Sequence, residues 1–169
     1  MLVLSLAGSS ACGYRVLRYG PASERGTIRI ETLDNDSIYP GAEVVVSEAL
    51  RTEVLQRAGL RLVEQASAAS PGYSIEGRVR GVILRTSSQS SVALSVEDRM
   101  TLQLELVIRR PDGARVSLPY QALSASDVTL TSADVEAARK NRHELLRRLS
   151  QILAQRIHDV LDQIGRAHV

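Results

Sequence analysis

The sequence predicts an α+β fold in which about four mainly antiparallel strands form one sheet, with two helices packed on one face, in the order βαβββα. Four segments alternate apolar and polar residues with a period of two, which is typical of strands buried on one side. Two other segments carry apolar residues three and four positions apart, which is typical of amphipathic helices. The length of 169 residues is that of one ordinary domain.

The first strand and the first helix are predicted early in the chain. Residues 27–33 alternate and form the strand, and the acidic and amide side chains of residues 34–36 then form a turn. Residues 42–58 form the helix, because their apolar side chains recur at a spacing of four. Gly59 follows as a C-terminal cap of this helix.

Two long strands are predicted in the middle of the chain. The second strand alternates without a break from residue 73 to residue 83, and Gly77 and Gly81 on its apolar face indicate a bulge or close helix packing. Residues 86–91 form a turn rich in serine. The third strand begins at residue 92 and continues through a regular alternation to residue 109.

A hairpin and a long helix complete the predicted fold. Residues 111–113 form the hairpin turn, and residues 115–122 return as the fourth strand, in which Pro119 marks an edge position or the end of the strand. The last helix starts at a capping box made of Thr131 and Asp134 and runs to residue 164. At about 1.5 Å per residue it spans roughly 45–50 Å, so we expect it to cross the whole sheet.

The N-terminus is predicted to be a signal peptide, residues 1–11, followed by a single domain, residues 12–169, that is lipidated at Cys12. The small residues before Cys12 resemble a lipobox, although Ser9 stands where an aliphatic residue is usual and no basic residue precedes the apolar run. The alternative is an ordinary buried thiol. The position of this lone cysteine between an apolar run and a polar chain favours a lipid anchor, which gains about 0.8 kcal/mol per buried CH₂.

Composition and motifs exclude several functions. The net charge of +2, without arginines interleaved among aromatic residues, excludes nucleic acid as a partner. No segment reaches the roughly 20 apolar residues of a transmembrane helix. His143, His158 and His168 lack metal-ligand spacing, and neither a nucleophile with its base nor a nucleotide-binding motif is present. The sequence therefore predicts a protein that is not an enzyme and uses no metal and no cofactor.

A series of short motifs, taken in order, resembles the LptE family of lipopolysaccharide-assembly lipoproteins. The motifs are CGY at 12–14, IRIETLDN at 28–35, YPGAE at 39–43, SEAL at 47–50, GLRLV at 59–63, YSIEG at 73–77, and a C-terminal helix with regularly spaced leucines. The resemblance implies a lipid-anchored protein of the cell outer membrane, on the periplasmic side or in a barrel lumen. It further implies that the protein plugs and helps to assemble the β-barrel LptD and binds lipopolysaccharide during its delivery to the cell surface.

The two implied partners, LptD and lipopolysaccharide, require a polar surface with cations. Barrel lumens are polar, and lipid A phosphates are best bound by arginine forks. The candidate phosphate contacts lie on the second strand, the third strand and its turn: Arg78, Arg80, Arg85, Arg99, Arg109 and Arg110. For each of them a solvated sheet face is the alternative. For the whole protein the alternative is another envelope accessory lipoprotein with the same anchor, such as a secretin pilotin or a barrel-assembly factor.

Overall fold

A computed structural model describes residues 26–57, 59–64, 72–88, 96–132 and 134–166. The predicted signal peptide, Cys12, the start of the third strand at residues 92–95, and His168 lie outside these ranges.

Seven strands and two helices make up the described part of the chain. They are β1 Thr27–Ile30, β2 Asp34–Asn35, α1 Ala42–Gln56, β3 Arg61–Leu62, β4 Tyr73–Ser88, β5 Val96–Arg109, β6 Arg115–Leu118, β7 Ser124–Thr131 and α2 Val135–Arg166. All seven strands belong to one sheet, in which β3-β1-β4-β5-β6 are successive neighbours, β2 pairs with β4, and β7 pairs with β5. The predicted α+β class is confirmed, with more strands than the predicted four.

The two longest strands, β4 and β5, form the centre of the sheet. They pair antiparallel from Ser74↔Arg109 to Ser88↔Glu97, whereas β1 and β2 pair with β4 in parallel. The alternation predicted for β5 is confirmed, since five apolar side chains at every second position are fully buried. These are Met100, Leu102, Leu104, Leu106 and Ile108.

The strand β4 contains a bulge, which is one of the two alternatives, a bulge or close helix packing, that its glycines indicated. The register shifts between Val79 and Gly81. Because one extra residue turns every later side chain to the opposite face, Val82 is buried and Ile83 is 38 % exposed. The unbroken alternation predicted up to Ile83 is therefore wrong beyond Val79.

Both helices pack on the same face of the sheet. Val46, Leu50 and Val54 of α1 and Leu149 and Leu153 of α2 belong to one buried core together with the inner side chains of the strands. Within the part of the chain that the structure describes, no helix covers the other face of β4 and β5.

The helix ends differ from those predicted. Thr131 is the last residue of β7, and Asp134 caps α2, since its Oδ1 accepts hydrogen bonds from the backbone N–H groups of Glu136 (2.8 Å) and Ala137 (3.2 Å). The prediction of a capping box made of Thr131 and Asp134 is therefore wrong. α1 ends at Gln56 with Arg57 rather than Gly59 as its C-cap residue.

The strand ends differ as well. The residues predicted as a turn at 34–36 include β2, which pairs with Arg78 and Val79 of β4. The fourth strand ends at Leu118, so Pro119 marks the end of the strand, as one of its two predicted roles required. The strand β7 was not predicted at all.

Arg57 joins the two helices. Its guanidinium contacts the carboxylates of Glu53 on α1 and Asp159 on α2, and it lies 3.4 Å from Nδ1 of the buried His158. The hydrogen bond to Asp159 raises the pKa of Arg57 above its ordinary value. His158 is thus part of a contact between the helices.

Candidate ligand-binding face of the sheet

The candidate site is the face of β4 and β5 that points away from the helices. Since alternate side chains of a strand lie on opposite faces, burial of the apolar set leaves the charged set outside. All six arginines that the sequence indicates as candidate phosphate contacts belong to these strands or to the turn after β5.

Arg78 and Arg80 are held by carboxylates of the same chain. Oδ2 of Asp36 lies 3.3 Å from Arg78 and 2.8 Å from Arg80, and Arg80 also lies 3.3 Å from Glu105. Asp36 reaches them because it directly follows β2, which pairs with β4 at Arg78. The hydrogen bonds from Arg80 and then Arg78 lower the pKa of Asp36, so this carboxylate is charged at neutral pH.

Arg109 and Arg110 are held in the same way. Arg109 donates two hydrogen bonds to Oε1 of Glu76, at 2.6 and 3.0 Å. Arg110 lies 2.6 Å from Asp112 in the hairpin turn, and its side chain is only 17 % exposed. The positive charge of four of the six predicted arginines is therefore already balanced within the chain.

Arg85 and Arg99 lie close together on the same face of the sheet. They are cross-strand partners in the register of β4 and β5, and both are exposed. Neither makes an ion pair within the part of the chain that the structure describes. Like charges directly opposite each other on neighbouring strands repel, and a bound anion would relieve this repulsion. We refer to these two residues as the Arg85–Arg99 pair.

Polar and apolar groups accompany the pair on the same face. The next cross-strand pair along the strands is Ile83↔Thr101, and Thr101 shares a 2.7 Å hydrogen bond between hydroxyl groups with Ser126 of β7. Ile83 is 38 % exposed because of the bulge in β4. Two cations and two hydroxyl groups are suited to the polar part of an amphiphilic anion, and the exposed aliphatic side chain of Ile83 is suited to its apolar part.

Sequence reasoning did not find the carboxylates that balance the other arginines. The sequence places Asp36 in a turn and Glu76 and Glu105 on strands, but the partners of these carboxylates depend on the strand register. The opposite charges of Glu76 on the second strand and Arg109 on the third were the available signal, since such pairs are favoured across antiparallel strands.

The histidines do not form a metal site in the described ranges, where no group of three metal-ligating side chains occurs. His143 lies with Gln151 and Gln155 in a groove of about 750 Å³ between α1 and α2. Neither α1 nor α2 contains an apolar stretch that is long enough to cross a membrane.

The described residues define a class of protein, namely a small α+β domain with helices on one face of its sheet and an arginine-rich surface on the other. The chain belongs to the LptE family, described as lipopolysaccharide-assembly, whose sequence model matches residues 26–161. The predicted family is therefore confirmed, and the chain is in general terms a lipopolysaccharide-assembly lipoprotein of the cell envelope. No curated protein matches its sequence.

Several solved structures are similar to this chain at low sequence identity. One is described as a neuraminyllactose-binding hemagglutinin homologue from Helicobacter pylori, with 14 % identity, a TM-score of 0.54, and coverage of 88 % of this chain and 89 % of that chain. A minor lipoprotein from Acinetobacter baumannii is 17 % identical, with a TM-score of 0.49 and coverage of 85 % of this chain and 95 % of that chain. The rare lipoprotein B from Shewanella oneidensis is 14 % identical, with a TM-score of 0.47 and coverage of 82 % and 97 %.

Proposed function

We propose that this protein is a non-catalytic lipoprotein of the outer membrane that binds lipopolysaccharide and a β-barrel of the LptD type during delivery of lipopolysaccharide to the cell surface. The Arg85–Arg99 pair is the observation that supports the ligand, and membership of the LptE family supports the partner.

The proposed ligand contact is a phosphate of lipid A held between Arg85 and Arg99. Each guanidinium presents a planar fork of N–H donors that matches two phosphate oxygens, and the doubly charged group removes the repulsion between the two cations. The four arginines that are bound to carboxylates are poorer candidates, because a phosphate would first have to displace those carboxylates. The proposed site therefore narrows from six residues to two.

The proposed partner contact is the sheet face as a whole. A domain inside a barrel lumen must present a polar surface, because barrel interiors are polar. The ion pairs of Arg78, Arg80 and Arg109 keep this face hydrophilic while lowering its net charge. Cleavage of residues 1–11 and lipidation of Cys12 would hold the domain at the membrane in which the barrel lies.

Replacing both members of the pair, Arg85→Ala/Arg99→Ala, is expected to weaken binding of lipid A strongly. Losing two charge-assisted contacts of about 1.5 kcal/mol each corresponds to a decrease in affinity on the order of 100-fold. The measurement is a titration of the full-length chain with lipid A that carries both phosphates and, in parallel, with lipid A from which they have been removed.

The matched control is Arg139→Ala/Lys140→Ala, which removes the same charge from exposed positions of α2. We expect this control to bind phosphorylated lipid A within a few-fold of the unmodified chain. Equal losses in the two double variants, or an unmodified chain that binds both forms of lipid A equally well, would contradict the proposed phosphate site.

A further inference from the structure

Among the described strands β7 pairs with β5 alone and so forms an edge of the sheet, and its outward main-chain groups can be identified. The backbone N–H of Leu104 donates to the carbonyl of Leu123 (2.9 Å), and Gln103 is the register partner of Ser124. Because hydrogen-bonded and non-hydrogen-bonded pairs alternate in an antiparallel ladder, the main-chain groups of residues 124, 126, 128 and 130 point away from β5. These groups form an open template for another strand unless something covers them.

Three side chains of α2 bind these outward carbonyls. Arg156 donates to the carbonyl of Ser124 at 2.9 Å. Arg148 donates to the carbonyl of Val128 at 3.3 Å, and Asn141 donates to that of Leu130 at 3.2 Å. All three acceptors are outward positions of the ladder, so α2 follows the edge of the strand in the antiparallel direction.

The spacing along α2 matches the spacing along β7. From Asn141 to Arg156 the helix rises about 22 Å at 1.5 Å per residue. From Leu130 back to Ser124 the strand extends about 20 Å at 3.4 Å per residue. The intervals of seven and eight residues also keep the three side chains on one side of a helix with 3.6 residues per turn.

Asp127 completes the cover at the middle of the strand. Its Oδ1 accepts a 2.7 Å hydrogen bond from the backbone N–H of Val128, and its Oδ2 lies 2.8 Å from Nε of Arg148. Both outward main-chain groups of Val128 are therefore occupied by side chains of the same domain.

An uncovered β7 would be prone to pair with another strand. It contains the β-branched residues Val128 and Thr129, and Leu130 on its outer face is 60 % exposed. A long edge strand with exposed apolar side chains is a site at which copies of a protein associate.

We propose that Asn141, Arg148 and Arg156 form an edge guard that prevents a second copy of this chain from adding its own β7 to the sheet. The incoming strand would need the carbonyls that the guard occupies. Without the guard, two β7 strands would pair antiparallel about a two-fold axis and join two sheets into one.

The test removes the guard in the full-length chain carrying Cys12→Ser. This substitution prevents attachment of a lipid and formation of a disulfide between two copies. We expect Asn141→Ala/Arg148→Ala/Arg156→Ala to form dimers at concentrations at which the parent is monomeric, as measured by light scattering after size exclusion. The control Arg139→Ala/Arg147→Ala also loses two charges from exposed positions of α2 and is expected to remain monomeric. A folded guard variant that stays monomeric, or a control that dimerises equally, would overturn the proposal.

The substitution Ser126→Pro tests whether β7 is the strand through which two copies pair. The N–H of Ser126 points away from β5, so proline at this position leaves the β5–β7 ladder intact and blocks addition of another strand. Adding this substitution to the guard variant is expected to restore the monomer, and dimers that persist would show that β7 is not the contact. If circular dichroism shows that the triple variant does not fold, the single variant Arg156→Ala replaces it. Weaker dimerisation of this single variant would support the edge guard, and a monomeric Arg156→Ala would reject it.

Discussion

Gly77→Ala is expected to lower the free energy of unfolding by about 2–5 kcal/mol, a large part of the roughly 5–15 kcal/mol that stabilises a domain of this kind. A Cβ at Gly77 would lie 2.2 Å from the carbonyl oxygen of Glu105 and 2.8 Å from Cα of Leu106 on the neighbouring strand. Backbone atoms of the central strand pair cannot move away without breaking the ladder. The φ angle of +156° adds strain for any residue with a side chain. Urea unfolding of the full-length Cys12→Ser chain measures the loss.

Two other glycines separate this steric effect from the general effect of alanine. At Gly81, on the same strand, the nearest atom to a Cβ is the flexible end of Gln103 at 3.3 Å, so we expect a change of less than about 1 kcal/mol. At Gly165 of α2 a Cβ meets no atom within 4 Å, and alanine is expected to stabilise the helix by roughly 0.5–1 kcal/mol. Equal losses at Gly77 and Gly81 would show that β4 and β5 do not approach as closely as the structure indicates.

Cys12→Ala is expected to abolish lipid attachment completely, since no other side chain of the chain can carry the thioether-linked lipid: Cys12 is its single cysteine. Each acyl chain contributes about 0.8 kcal/mol per buried CH₂, so the difference in membrane affinity is many orders of magnitude for several chains. The measurement is metabolic labelling with an alkyne analogue of palmitate, followed by the intact mass of the mature protein. Labelling does not depend on whether the unprocessed variant remains at the membrane through its apolar N-terminus.

Ser10→Ala is the matched control for this prediction, because it keeps a small residue before the cysteine and is expected to leave labelling unchanged. An unmodified chain that takes up no label and retains a free thiol at Cys12 would contradict the anchor and would favour the alternative of an ordinary thiol.

The parts of the fold that follow from local periodicity could be predicted from the sequence. The alternation of β5 and the apolar stripe of α2 each repeat often enough to fix the element and its buried face. The strand β7 was missed because its inward positions include Asp127 and Thr129 next to Ala125, so the apolar alternation is interrupted. β2 was missed because two residues carry no periodicity, and only pairing with β4 defines them as a strand.

The site could be predicted only in part, because the pairing register between strands distant in sequence cannot be read from the sequence. The sequence indicated six arginines on β4, on β5 and in the turn after β5, but it could not separate those bound to carboxylates from the Arg85–Arg99 pair. That distinction depends on which residues of β4 and β5 lie opposite each other. It also depends on the short parallel strand that brings Asp36 to Arg80. The bulge after Val79 sets the faces of all later residues of β4, and the sequence alone did not fix its position.

The proposed function is tested most directly by isolating the full-length, C-terminally tagged protein from outer membranes in mild detergent and identifying by mass spectrometry what is bound to it. We predict that a large β-barrel of the LptD type is recovered in near-equal molar amount. Recovery of the tagged protein alone, or together with a secretin, would contradict the proposed role in lipopolysaccharide delivery.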